Sequence, residues 1–371
     1  MPLILHAVGA RPNFVKMAPV IESLRRHAGI EQLLVHTGQH YDARMSDELF
    51  ADLGLPEPDI SLGIGSGSHG EQTGRALIGF ERVLLEERPD LVVVAGDVNS
   101  TLACALAASK LGIRIAHVEA GLRSRDWTMP EEINRVLTDR LSDLLFTHSP
   151  EAPANLAAEG IRGDRIHQVG NTMIDSLLRF EPRARKRAAW EAYGVKPGAF
   201  VLVTLHRPSN VDEPAGLERI TRALAALARR TEVVFPMHPR TRARLERGRG
   251  IAELEAGGIR CLEPLGYIDF LSLTLAAGAV LTDSGGVQEE TTALGVRCYT
   301  LRANTERPVT IEQGTNTLLG EAPDAIAMIE PAPGPRPRPR IDGWDGRAGQ
   351  RIAAVLASAV AVSEAAGAHA G

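Results

Sequence analysis

Short runs of Val, Ile and Leu alternate with longer amphipathic segments along almost the whole chain, and that rhythm admits few folds. A strand of about five residues, joined to the next by a helix of ten or more, is a βαβ unit. A series of such units builds a parallel sheet covered by helices on both faces. The run LVVVA, Leu91 to Ala95, carries no polar side, so it fits a strand buried on both faces. Further strands are expected at Leu3 to Val8, Gln32 to His36, Ile113 to Val118, Leu144 to Thr147 and Ile166 to Val169. A second series is expected at Phe200 to Thr204, Val233 to Pro236, Arg260 to Leu262, Ala279 to Thr282 and Arg297 to Thr300.

Between the two series lies a basic, helix-prone connector, RFEPRARKRAAWEAYG, from Arg179 to Gly194. At 371 residues the chain is long for one domain. Two doubly wound α/β domains are therefore expected, residues 1–171 and 172–371, with a cleft between them and the last helix free to pack back on the first. Ligands in such folds sit beyond the carboxyl ends of the strands. The segment PAPGPRPRPR, Pro331 to Arg340, lacks too many amide donors for a helix or inner strand and reads as an extended surface linker.

An apolar fraction of 44% suffices for two cores, and a net charge of −5 argues against a nucleic-acid-binding chain. Cys104, Cys261 and Cys298 show no metal-ligand spacing and read as reduced thiols, so neither a metal nor a disulfide is expected. No run approaches the roughly 20 apolar residues of a membrane span. The chain is expected to be cytoplasmic, without membrane contact.

Charged residues gather at the strand ends. The first strand runs into Gly9-Ala10-Arg11-Pro12-Asn13-Phe14-Val15-Lys16, which sets two cations and a helix N-terminus where a phosphate could bind. Two further strands deliver Asp97 and Glu119 at their tips, and Glu131 opens a helix behind Pro130. Three carboxylates converging on one cleft suit acid–base work, because crowding pushes their pKa values apart. The alternatives are structural: Asp97 as a helix cap, Glu119 paired with Arg123, Glu131 a dipole charge with Arg135 four residues on.

In the second series, His206 and Arg207 follow a strand and are placed to neutralise a diphosphate. His238 reads as structural. The segment LTDSGGVQEE passes from strand to Ser284-Gly285-Gly286, an anion cradle at a helix start, with Glu290 a turn further on to accept from a ribose diol. Arg135 and Phe270 are grouped with these as substrate-binding residues. The segment Gly65 to Gly70 matches G-x-G-x-x-G, but that fingerprint belongs to the first βα turn, here occupied by GARP. It reads as a loop ahead of the helix EQTGRALIGFERVLLEE, and no nicotinamide cofactor is expected.

Taken together, GARPNFVKMAPV, TGQHYD, GDVNSTLA, HVEAGLRS, MPEEINRVLTD, VGNTMID, TLHRPSNVD, LTDSGGVQEE and NTERPVTIEQGTN resemble the non-hydrolysing UDP-N-acetylglucosamine 2-epimerases, in order from residue 9 to about 316. The resemblance implies a GT-B fold of two Rossmann-like domains, a UDP-sugar substrate, no cofactor and a homodimer. It implies that Arg11, His206, Ser284 and Gly285 hold the diphosphate, that Glu290 takes the ribose, and that Arg307 supports the UDP side. It matches Lys16, Asp97, Glu119, Glu131 and His206 to the family's active-site positions. Arg11, Pro12 and Lys16 side with the non-hydrolysing branch. Pro208 and Ser209 depart from the family's usual histidine motif. GQHYDARMSDELF and MPEEINR also look like relatives acting on UDP-2,3-diacetamido-2,3-dideoxy-glucuronate, so the substituents at C3 and C6 stay open. Gln39 alone survives of a glutamine-rich segment used for allosteric substrate binding, so that activation is not expected. The alternative of another class is a GT-B glycosyltransferase.

Overall fold

A computed structural model of the chain describes residues 1–38, 57–332 and 337–368, with all their side chains except those of Arg11 and residues 362–368. Gln39 to Phe50, which carry part of the family resemblance, lie outside the described residues, as does the side chain expected of Arg11 at the diphosphate. The chain divides into two units, residues 1–176 with 342–371, and residues 177–341.

In the first unit the strands are β1 (Leu3–Val8), β2 (Glu31–His36), β3 (Ile60–Ser61), β4 (Leu91–Ala95), β5 (Arg114–Val118), β6 (Leu144–Thr147) and β7 (Ile166–Gln168). They form one sheet of order β3-β2-β1-β4-β5-β6-β7, and every neighbouring pair is parallel. In the second unit β8 (Phe200–Thr204), β9 (Glu232–Pro236), β10 (Ile259–Leu262), β11 (Ala279–Thr282), β12 (Cys298–Thr300) and β13 (Asn316–Leu318) form a second parallel sheet, of order β10-β9-β8-β11-β12-β13. Both orders run outward from the first strand of the unit in one direction and then reverse, the doubly wound pattern. The reversal falls between β1 and β4 in one sheet and between β8 and β11 in the other, and these switch points open a crevice at the strands' carboxyl ends.

LVVVA is fully enclosed, with Leu91 to Val94 at 0% exposure. Burying a strand on both faces removes its side chains from water at roughly 25 cal/mol per Å² of apolar area. The helices that carry the site are α1 (Arg11–Leu24), α2 (His69–Glu87), α3 (Asn99–Lys110), α4 (Pro130–Leu141), α5 (Ala152–Ala158) and α6 (Thr172–Arg187), the last leading into the second unit. There α7 (Tyr267–Ala276) and α8 (Gly285–Leu294) matter, and α9 (Ala348–Ala368) belongs to the first unit, packed on α1. A Cβ on Gly349 would sit 2.6 Å from the Pro19 carbonyl oxygen, so glycine permits that close helix approach.

The GSGSHG segment is a loop, as expected, though its helix starts earlier, at His69, with Ser68 capping the Glu71 amide. β3 and β13 were not anticipated. At two and three residues they are too short to show a period.

Candidate active site

Asp97 and Glu119 leave the tips of neighbouring strands, β4 and β5, and each meets its own cation. Lys16, on α1, is 5% exposed and forms an ion pair with Glu119, itself 7% exposed. Its amine therefore lies on a carboxylate, where the sequence placed it near a phosphate. Asn13, one turn earlier, donates to the Ala95 carbonyl at 2.7 Å and accepts from the Gly9 and Ala10 amides, which locks the β1–α1 turn onto β4. Gly96 adopts φ +67, and a Cβ there would lie 2.9 Å from the Lys16 amine. Glycine is the residue that suits both that conformation and that space.

Asp97 is not the N-cap residue of the following helix. Val98 is the N-cap residue of α3, and the Asp97 carboxylate takes the Arg135 guanidinium instead. Arg135, expected among the substrate-binding residues, is 2% exposed and spans Asp97 and Glu132. Of the two acids that open α4, the buried one is thus Glu132, at 1% exposure, whereas Glu131 is partly exposed. Glu132 also accepts from the Ser124 amide and hydroxyl and from the Arg125 amide. Burial alone would raise its carboxyl; the Ser124 and Arg125 amides and the Arg135 cation outweigh that and lower it. Asn134 donates to the Asp97 carbonyl at 2.9 Å. The pairing of Glu119 with Arg123 is also corrected: Arg123 binds Asp139 at 2.7 Å and Glu159 through two bonds of 2.6 and 2.7 Å.

In the second unit the switch point between β8 and β11 is organised by Asp283, a fully buried residue. It accepts from the His206 amide at 2.9 Å, the Arg207 amide at 2.9 Å, Asn210 Nδ2 at 2.9 Å, and lies 3.0 Å from His206 Nδ1. Burial would raise its carboxyl, but the imidazole, Asn210 and the amides overcome that and bring it to about 2. His206 is held at the loop start while its side chain stays 36% exposed. His238 caps its own helix by accepting from the Arg240 amide, a structural role.

Ser284 is the N-cap of α8, and Gly285 and Gly286 form its first turn. A Cβ on Gly285 would overlap the Arg307 guanidinium. Arg307 pairs with Glu306 and, at 2.9 Å, with Glu289. Glu306 also takes Arg302 at 2.6 Å and approaches Arg207 at 3.7 Å. Three arginines against two glutamates beside a helix N-terminus leave a surplus positive charge, a setting for a phosphate group. Glu290, 4% exposed, accepts from the Tyr267 hydroxyl at 3.0 Å. Phe270 lies on the same helix, α7, partly exposed. Asn13, Glu132, Asp283 and Tyr267 were missed as functional residues, although Asn13, Glu132 and Asp283 stood inside motifs already singled out.

Two Rossmann-like units of this topology in tandem define the GT-B fold, the architecture of a class of nucleotide-sugar enzymes. The chain belongs to the UDP-N-acetylglucosamine 2-epimerase family: a family model of that description matches residues 22–357. It is 44% identical to a UDP-N-acetylglucosamine 2-epimerase of Methanocaldococcus jannaschii over 356 residues, covering 94% of this chain and 97% of that one. It is 45% identical to a UDP-2,3-diacetamido-2,3-dideoxy-D-glucuronate 2-epimerase of Pseudomonas aeruginosa over 326 residues, 87% and 90% of the two chains. The crystal structure of the M. jannaschii UDP-GlcNAc 2-epimerase with UDP-GlcNAc and UDP matches with a TM-score of 0.88 at 43% identity, covering 96% and 99%.

Proposed function

We propose that this protein epimerises UDP-N-acetylglucosamine at C2, giving UDP-N-acetylmannosamine, by eliminating UDP and adding it back. The observation that carries the mechanism is the pair of acids, Asp97 and Glu119, on adjacent strand tips beside the β1/β4 switch point, each against its own cation.

The C2 hydrogen of the sugar has no carbonyl beside it in the ring, so direct deprotonation is very unfavourable. Breaking the C1–O bond to UDP first builds positive charge at C1 and acidifies that hydrogen. The surplus cations around Glu306, His206 and the α8 N-terminus are assigned to the departing UDP, and Glu290 to the ribose. A carboxylate takes the C2 proton, leaving 2-acetamidoglucal and UDP. A proton then returns to the opposite face as UDP re-adds, so two proton-transfer groups are required. Asp97 and Glu119 supply them in this reading, with Glu131 partly exposed in the first turn of α4 and Lys16 paired with Glu119.

The sugar's C3 and C6 substituents are a separate matter, since the P. aeruginosa relative is as similar at 45% as a Methanococcus maripaludis UDP-N-acetylglucosamine 2-epimerase. Assaying UDP-GlcNAc and the diacetamido uronate side by side decides it. Turnover of UDP-GlcNAc supports the first reading; turnover of the uronate alone keeps C2 epimerisation and replaces the sugar.

A homodimer is supported by α4, whose amphipathicity is inverted. Its buried face holds Glu132, Asn134, Arg135, Thr138 and Asp139, while Ile133 and Leu137 are 39% and 45% exposed, with Trp127 before it at 62%. Apolar residues on the outer face of a helix mark a surface that another chain covers. Light scattering should give twice the 39.8 kDa chain mass, and Leu137→Glu should shift it toward the monomer. A monomeric wild type would remove the dimer from the proposal. None of the described helices is long and apolar enough to cross a membrane. A cytoplasmic place, feeding amino sugar to surface polysaccharide, completes the proposal.

A further inference from the structure

One buried cluster in the first unit is not used by the mechanism above. His117, at 0% exposure near the end of β5, has both ring nitrogens engaged: Nδ1 lies 2.7 Å from Asp139 Oδ1 and Nε2 lies 2.8 Å from the Gly96 carbonyl oxygen. The ring is thus fixed at both ends. Asp139 also accepts the Gly121 amide at 3.1 Å and Arg123 at 2.7 Å. Arg123 in turn holds Glu159, whose side chain is 38% exposed.

The anchor points flank the two acids. Gly96 precedes Asp97, and His117 and Gly121 bracket Glu119 two residues to either side. Glu119 itself holds φ +73, a left-handed conformation that is costly for a non-glycine residue and persists only when its surroundings fix it. The Glu119 and Ala120 amides both donate to the Phe146 carbonyl, and the Gly96 amide donates to Val118, but only His117 joins the side of the β4 tip to Asp139 and so to Gly121 among these bonds.

We propose that His117, held between Asp139 and the Gly96 carbonyl, is a positioning residue that holds the Asp97 and Glu119 loops in register for C2 proton transfer. The proposal rests on the reading of those two acids as the proton-transfer groups. Charged and titratable neighbours of the two loops include Lys16, on Glu119, Arg135, on Asp97, and His148, within 4.8 Å of Glu119.

The test uses the full chain with His117→Gln and, as a second variant, Asp139→Asn. Each is compared with the wild type for UDP dissociation constant, KM and kcat per UDP-binding site, and for histidine 15N signals. The expected result is a kcat lower by about tenfold or more, since a misplacement of about 1 Å costs up to 100-fold. UDP affinity should stay within about twofold, and the wild type should show a hydrogen-bonded histidine ring signal that His117→Gln loses. A smaller fall in kcat, loss of UDP sites in proportion to activity, or failure of both variants to fold would each assign the cluster to stability alone and overturn the proposal. Asp97→Asn and Glu119→Gln run alongside. If these leave turnover unchanged, the reading of the acids fails; if they abolish it while the His117 variants do not matter, only the positioning role fails.

Discussion

Glu119→Gln is expected to lower kcat for C2 epimerisation by about 10² to 10⁴, the usual worth of a positioned proton-transfer group. Gln keeps the side chain's length and the backbone at φ +73, but it removes the base and the partner of the buried Lys16 amine. An unpaired buried cation is itself destabilising, by roughly 3–5 kcal/mol. Adding Lys16→Met separates the two effects: the double variant should regain thermal stability without regaining turnover. Asp97→Asn should give a comparable loss of activity with a smaller loss of stability, because Arg135 keeps Glu132 and the Asp97 side chain is 22% exposed. Two acids serving two faces also predict an asymmetry. One variant should still form glycal from UDP-GlcNAc but not from UDP-ManNAc, and the other the reverse. Equal residual activity from both epimers in both variants would contradict the two-face assignment.

Asp283→Asn is expected to destabilise the second unit by about 2–4 kcal/mol and to weaken UDP binding at least tenfold. The carboxylate takes two amides, Asn210 and the His206 ring, and an amide in its place puts an NH₂ against one of those donors. The His206–Arg207 loop would then lose its tether at the place assigned to the diphosphate. The wild type carries the matching pH dependence. The folded carboxyl, at about 2, lies below the ordinary value near 3.9, so its contribution is complete above pH 4 and is lost as pH falls from about 4 through 2. That contribution is roughly 2 kcal/mol. Thermal melts from pH 6 to pH 2 should show it in the wild type and not in the variant; parallel curves would remove Asp283 from this role.

The periodic pattern carried most of the sheet because a parallel strand buried on both faces must be apolar throughout, as Leu91 to Ala95 is. Strand ends shifted by one residue where a polar neighbour joins the ladder, as Glu31 and Glu232 do. The strand-tip residues Asp97, Glu119, His206 and Ser284 stood out because switch points gather the chemistry of such folds. Their partners did not. Asp283 meets Asn210 across 73 residues and His117 meets Asp139 across 22, distances at which no local spacing signals contact. Glu131 and Glu132 are adjacent acids, and only the phase of α4 against the sheet makes the second one buried. Arg135 was grouped with the substrate-binding residues or paired with Glu131, yet packing closed it between Asp97 and Glu132. The exposed Ile133 and Leu137 of α4 are the plainest conflict between local pattern and burial, and the proposed homodimer would cover them.

In the proposed reaction UDP leaves and returns while the C2 proton exchanges with solvent. Incubating the enzyme with UDP-GlcNAc alone in deuterated water, and following the products by NMR, tests it most directly. The account predicts UDP-ManNAc carrying deuterium at C2, deuterium appearing in the recovered UDP-GlcNAc, and small amounts of free UDP with 2-acetamidoglucal. Epimer formation without deuterium at C2, accumulation of free ManNAc with UDP, or no change until a sugar acceptor is added would contradict it.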